Sequence, residues 1–178
     1  EHAPLARFGD GGLLVNTVHR DVSSGEPLAD LLTRNALAVA GDTLLRFKGG
    51  MYQFQMVAGG SFLNGTEKSV ERFQRASSHY AQRPDKDYAQ IDPTRTSLSG
   101  FSTQTRLEKV SGRHWLWNVG TKLDTPFFET NDIATFNGSD GIMPTGSITW
   151  RETRPGRTFR SYSFGMSQTW EWNFGGNR

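Results

Sequence analysis

Residues 37–63 read LAVAGDTLLRFKGGMYQFQMVAGGSFL, and their alternation decides the fold. In the second half, Tyr52, Phe54, Met56 and Ala58 alternate with Gln53, Gln55, Val57 and Gly59. A period of two places one set on one side of a β-strand and the other set on the opposite side. Between the halves stands Gly49-Gly50. Glycine enters the positive-φ region that two-residue hairpin turns require. The stretch therefore predicts antiparallel strands over 37–48 and 51–63, joined by a two-residue turn.

The same plan recurs outward from there. Phe101, Thr103, Thr105 and Leu107 alternate with Ser102, Gln104, Arg106 and Glu108. Beyond Ser111-Gly112, Trp115, Trp117, Val119, Thr121 and Leu123 alternate with Leu116, Asn118, Gly120 and Lys122. A third pair covers 142–153 and 157–174 around Pro155-Gly156. In its second strand Tyr162, Phe164, Met166, Trp170, Trp172 and Phe174 share a face broken by Gln168, and Ser163, Gly165, Ser167 and Glu171 share the other. A strand of mixed polarity near 13–22 brings the count to about seven. Most of these exceed the ~5–6 residues of ordinary strands. They reach the roughly 9–11 residues with which a tilted strand crosses a bilayer.

Composition agrees with β structure rich in turns. Among 178 residues there are 20 Gly, 12% aromatic and only 35% hydrophobic residues. The mean hydropathy is −0.57, low for a soluble core of this size. The net charge of +2 is spread along the chain, which gives no focus for a nucleic-acid partner. There is no Cys, hence no disulfide and no thiolate metal site. No apolar run is long enough for a transmembrane helix, a fact that does not bear on barrels. The chain begins at Glu1 without a signal peptide, which reads as a processed chain or a stretch of a longer one. Residues 1–178 form a single domain, a segment of a larger barrel.

The connections carry the strongest functional signal. Three short turns alternate strictly with three long connections, 23–34, 64–96 and 125–141. In an up-and-down meander every short turn then lies at one end and every long loop at the other. Outer-membrane barrels show this asymmetry between periplasmic turns and extracellular loops. Phe47, Tyr52, Trp115, Trp150, Phe159 and Tyr162 all lie near the short turns, where they predict an interfacial girdle.

The expected fold class is thus all-β, an antiparallel up-and-down meander forming part of an outer-membrane β-barrel. Tyr52, Phe54, Phe101, Leu107, Trp115, Trp117, Tyr162, Phe164 and Trp172 are expected to face lipid. Gln53, Gln55, Arg106, Glu108, Lys122, Arg151 and Glu171 are expected to face the lumen. Outer-membrane lipid is the first partner. Closure asks for further strands, from a parent chain or from copies of itself, because open edges are not tolerated in hydrocarbon. A pore, transport or anchoring role in the bacterial outer membrane follows. The alternatives are a soluble β-barrel that binds an apolar ligand and, more weakly, an outer-membrane hydrolase.

Candidate chemistry is sparse. His2, His19, His79 and His114 show no metal-ligand spacing, and His114 beside Trp115 reads as a rim residue. Asp85, Asp87 and Asp92 lack the Gly and terminal Glu of a calcium loop, and read as solvated. Glu129 and Asp132 are a second carboxylate pair. No GxSxG or other nucleophile motif and no cofactor motif occurs. Within 69–83, Val70, Phe73, Ser77 and Tyr80 have helical spacing, predicting a short helix in the long loop, packed on or into the mouth.

Six stretches carry a family resemblance: NTVHRDV at 16–22, FQRASSHYAQRPDKDY at 73–88, DPTRTSLSGF at 92–101, SGRHWLWNVG at 111–120, FETND at 128–132 and RETRPGRTFRSYSFG at 151–165. In order and spacing the chain resembles a family of bacterial outer-membrane barrels of unknown function, in which the barrel usually follows a carbohydrate-binding-like domain. The resemblance implies an integral barrel, an outer-membrane location and a carbohydrate-related substrate. It supplies no catalytic residues.

Overall fold

The computed structural model describes residues 7–23, 25–79, 81–130 and 139–177. Seven strands form one antiparallel sheet in sequence order. They are β1 (Arg7–His19), β2 (Asn35–Phe47), β3 (Tyr52–Asn64), β4 (Ser97–Lys109), β5 (Trp115–Asp124), β6 (Gly141–Glu152) and β7 (Tyr162–Thr169). Each pairs with its sequence neighbour, and β1 and β7 are left as edges, so the sheet is not closed. The pairing runs unbroken from β2 to β7; the one register shift lies between Arg7 and Gly9.

All three hairpins differ from their sequence reading. Between β4 and β5 Lys109 pairs with Trp117, so 110–116 stand outside that ladder in place of a tight turn at Ser111-Gly112. The β2–β3 connection has four residues, 48–51, because Phe47 pairs with Tyr52. Lys48, Gly49 and Gly50 all take positive φ, at 50°, 68° and 84°, and the two glycines adopt it without the steric cost a Cβ imposes. The third connection is no tight turn at Pro155-Gly156. Glu152 pairs with Tyr162, so 153–161 stand outside the ladder. Glu152 Oε1 accepts from the Thr153 and Arg154 N–H groups at 2.9 and 2.8 Å, turning the chain away as soon as β6 ends. Pro155 has no N–H with which to rejoin.

The last strand is also shorter than its alternation predicts. β7 stops at Thr169, which pairs with Thr145. The next position on β6 is Pro144, which accepts from Trp170 N at 3.0 Å but cannot donate in return. Trp172 keeps a single bridge to Ile142. Glu171 and Trp172 therefore lie beyond the strand in which the sequence placed them.

Directly opposed residues share a sheet face. One face is apolar: Leu45, Phe54, Leu107 and Val119 lie in one row, and Trp115, Trp150 and Phe164 in another. The other face carries Gln53 with Arg46 and Glu108, and Gln104 with Val57 and Lys122. At the long-loop end of this polar face lies the small core, Ala36, Leu63, Val70 and Leu98, with Val18, Phe73 and Phe127 against it.

Val70 and Phe73 come from a helix, α1 (Glu67–Arg75). It starts two residues before the predicted span and stops well short of its end. Thr66 caps it, its hydroxyl accepting from Ser69 N at 3.2 Å, and Arg72 and Arg75 sit in the last turn where the helix dipole favours cations. Ala76 turns extended. Tyr80 lies outside the described residues. No helix among the described residues is long and apolar enough to cross a membrane.

Candidate functional site: a loop body on the polar face

The long connections and the segment after β7 fold together over the polar face. Glycine makes the approach possible at one point. A Cβ on Gly100 would lie 2.3 Å from Phe128 N and 2.7 Å from Phe127 C, so the backbone of the β5–β6 connection rests directly on β4. Beside it, Ser61 Oγ on β3 accepts from Glu129 N at 2.9 Å.

Above this contact sits His79, fully buried. Its Nε2 is 2.7 Å from Glu129 Oε2, itself 2% exposed in its side chain. Its Nδ1 is 2.9 Å from Pro126 O and 2.9 Å from Ser139 Oγ. Ser, His and Glu thus meet in the arrangement of a hydrolase triad, with the His and Glu side chains closed away from solvent. A carbonyl oxygen only accepts, so Pro126 O is an acceptor for both the ring and the Ser139 hydroxyl. Ser139 Oγ lies 2.7 Å from Pro126 O and 3.0 Å from Ser78 O, two acceptors for its single proton. The His79 and Glu129 side chains are 0% and 2% exposed, so neither the imidazole nor the carboxylate opens toward a substrate. The cluster acts as a clasp between the β3–β4 and β5–β6 connections.

A second clasp reaches the chain's last segment. Lys86 Nζ lies 3.1 Å from Asp140 Oδ2 with both side chains buried, and also donates to His79 O. Tyr88 Oη donates to the same carboxylate oxygen at 2.7 Å, and Phe174 N to Asp140 Oδ1 at 3.2 Å. Asn173 Nδ2 donates to Asp85 Oδ2 at 3.2 Å. Gln74, fully buried, binds Asp92 twice, Nε2 to the carbonyl at 2.9 Å and Oε1 to the N–H at 2.7 Å. A buried polar network with its members satisfied holds one arrangement.

Charges follow from these contacts. Burial, then the Asp140 carboxylate, pushes the Tyr88 phenol up to about 12. The Arg83 guanidinium beside Asp85 holds that carboxyl below its ordinary value, and hydrogen bonds from Thr94 do the same for Asp92. Asp85 and Asp92 are thus engaged with separate partners. Among the described residues no group of three or more His, Cys, Asp or Glu converges on one point, and Asp132 lies outside them. A cleft of about 350 Å³ opens beside the loop body, lined by Val22, Leu32, Arg34, Asn64 and Thr96.

No family model, curated protein or solved structure matches the chain.

The quoted motifs nevertheless have a structural meaning of their own. The stretch 73–88 supplies Gln74, His79, Asp85, Lys86 and Tyr88; 92–101 supplies Asp92 and Gly100; and 128–132 supplies Glu129. Sequence reasoning weighed His79 and Asp85 only as metal ligands and passed over Lys86, Ser139 and Asp140. Periodicity has no purchase on contacts between loops.

The residues expected on the two faces are placed as follows. Tyr52, Phe54, Phe101, Leu107, Trp115, Trp117, Tyr162 and Phe164 all lie on the apolar face, and Trp172 joins them through its bridge to Ile142. Gln53, Gln55, Arg106, Glu108, Lys122 and Arg151 lie on the polar face. Glu171 instead lines a small cavity with Arg83 and Asp140. Two ion pairs run along a strand, Arg106 with Glu108 at 3.0 Å and Lys122 with Asp124 at 2.7 Å, and Ser102 donates across to Asp124 at 2.5 Å. Gln53 reaches across to Glu108. At the short-turn end the aromatics touch one another. Phe47 stacks on Tyr52 at 5.7 Å, Tyr52 meets Trp117 at 6.1 Å, and Trp150 meets Tyr162 at 5.5 Å. His114 stacks on Trp150 at 5.5 Å rather than on its neighbour Trp115.

Proposed function

We propose that the chain is a segment of a bacterial outer-membrane β-barrel, its apolar face toward lipid and its polar face toward a lumen whose mouth its own loops fill. One observation carries this reading. The loop body docks on the polar face, while every strand leaves a large apolar side chain exposed on the other, from Leu13 on β1 at 77% through Phe101 on β4 at 52% to Phe164 on β7 at 71%. Soluble monomers rarely expose contiguous apolar patches beyond a few hundred Å². A soluble barrel with an apolar pocket would turn the same side chains inward, where its loops cover them. The aromatic contacts at the short-turn end suit a membrane interface.

A mouth filled by clasped loops favours anchoring, or passage of small polar solutes along the polar face, over a wide pore. The family resemblance makes sugars the first solutes to try. Tryptophan fluorescence tests the reading. Trp115, Trp117 and Trp150 should be quenched by quenchers carried on detergent or lipid tails, and weakly by aqueous ones. A monodisperse protein that stays in water without detergent and ignores tail-borne quenchers would overturn it.

A further inference from the structure

The two edges of the sheet say what kind of partner completes it, given the outer-membrane reading on which this inference rests. Among the described residues neither edge is paired with a further strand, and the register shift of β1 is confined to its start, between Arg7 and Gly9. β1 (RFGDGGLLVNTVH) and β7 (YSFGMSQT) contain no Pro and no Lys, the residues that usually blunt an edge. β1 offers 13 residues, and all eight residues of β7 are exposed. Both edges therefore present backbone N–H and C=O groups as templates for another strand.

Direction decides which strand fits. The seven strands alternate, and the long connections follow β1, β3 and β5. β1 and β7 thus run the same way, both toward the long-loop end. Folding β7 onto β1 would make a parallel joint. A second copy inserted the same way, set edge to edge, makes the same parallel joint. An inverted copy would pair antiparallel but would carry its loop body to the opposite membrane surface. Outer-membrane barrels keep their long loops on one surface and their short turns on the other, which sets the inverted copy aside. Bacterial single-chain barrels keep an even number of strands, all antiparallel.

We infer that the partner is an odd-numbered transmembrane β-meander other than a second copy of this chain. Its first strand runs antiparallel to β7 and its last antiparallel to β1. Its strands carry the same apolar-out, polar-in alternation, and the total becomes even. Copies of this chain, an alternative that strand count alone leaves open, are set aside on the ground of direction.

The absence of Cys makes the test simple. Thr17→Cys on β1 and Gln168→Cys on β7 lie on the apolar face near the long-loop end, where edges of copies inserted the same way would meet. The double variant is folded into detergent micelles and oxidised, and the products are weighed by native mass spectrometry. The expected result is no discrete ring and no preferred β1–β7 disulfide between copies. A uniform closed oligomer, in either orientation, overturns the inference and leaves the membrane reading intact. Protein that ignores tail-borne quenchers in the same micelles overturns the membrane reading, and this inference with it.

Discussion

His79 and Glu129, 50 positions apart in the chain, meet in a 2.7 Å hydrogen bond with both side chains buried. The pair joins two connections that share no strand, so the loops hold one another as well as the sheet.

Removing one member should release that hold. Glu129→Ala removes the hydrogen-bond partner of the buried His79 Nε2, and leaving a buried polar group unsatisfied costs about 1–3 kcal/mol. Glu129→Gln, whose amide oxygen still accepts, should recover part of it. Hydrogen exchange over 65–96 measures the effect. Unchanged protection in Glu129→Ala would show that the clasp does not hold the loop.

Two glycines on neighbouring strands separate close approach from open space. A methyl on Gly100 meets the backbone of Phe127 and Phe128, whereas one on Gly60 meets nothing nearer than Gly100 O at 3.7 Å. Gly100→Ala should therefore cost about 1–3 kcal/mol through overpacking, and Gly60→Ala little. Denaturant unfolding of the two variants compares them; equal midpoints would contradict the approach of the loop to β4.

Val119 and Val57 are a matched pair for the two faces. They are 51% and 50% exposed, away from the strand ends, and lie on the apolar and polar faces respectively. Arg at Val119 should cost roughly 2–4 kcal/mol if that face meets lipid near the midplane, and Arg at Val57 much less. Phe164 against Ser163 is a shallower version, since Phe164 is the third residue of β7 after the turn. Folding into lipid or detergent reads the difference, and a worse effect at Val57 would exchange inside and outside.

Alkali should loosen the second clasp. The phenol of Tyr88 ionises near 10.0 when unfolded and about 12 when folded, so the fold favours the neutral form. That contribution is whole below pH 10 and is lost as pH climbs from 10 to 12. The tyrosinate absorbance missing from Tyr88→Phe should appear only toward pH 12. A Tyr88 component titrating near pH 10 would disprove the contact with Asp140.

How much of this could be read beforehand depends on the range of the interaction. Tyr52 to Leu63 and Trp115 to Leu123 announced their strands because side-chain direction alternates locally. The third hairpin did not, because Pro155-Gly156 looks like a turn while the bend is made by the Glu152 carboxylate two residues after Trp150. The aromatics Trp170 and Trp172 prolong the alternation of β7, yet the ladder fails at Pro144, a residue on another strand. His79, Lys86 and Asp140 gave no periodic signal. Their roles exist only once three loops are brought together, and only the helical spacing of Val70 and Phe73 foreshadowed that the loop folds back.

The hydrogen bond from Asn173 to Asp85 spans 88 positions, and this separation has a kinetic meaning. Hairpins between sequence neighbours close early, whereas contacts across long stretches wait until the chain between them is ordered. This bond joins a segment beyond β7 to a loop before β4, so it forms only after four strands have found their places. It is the closing stitch of assembly, and a molecule that has made it has already aligned its hairpins correctly.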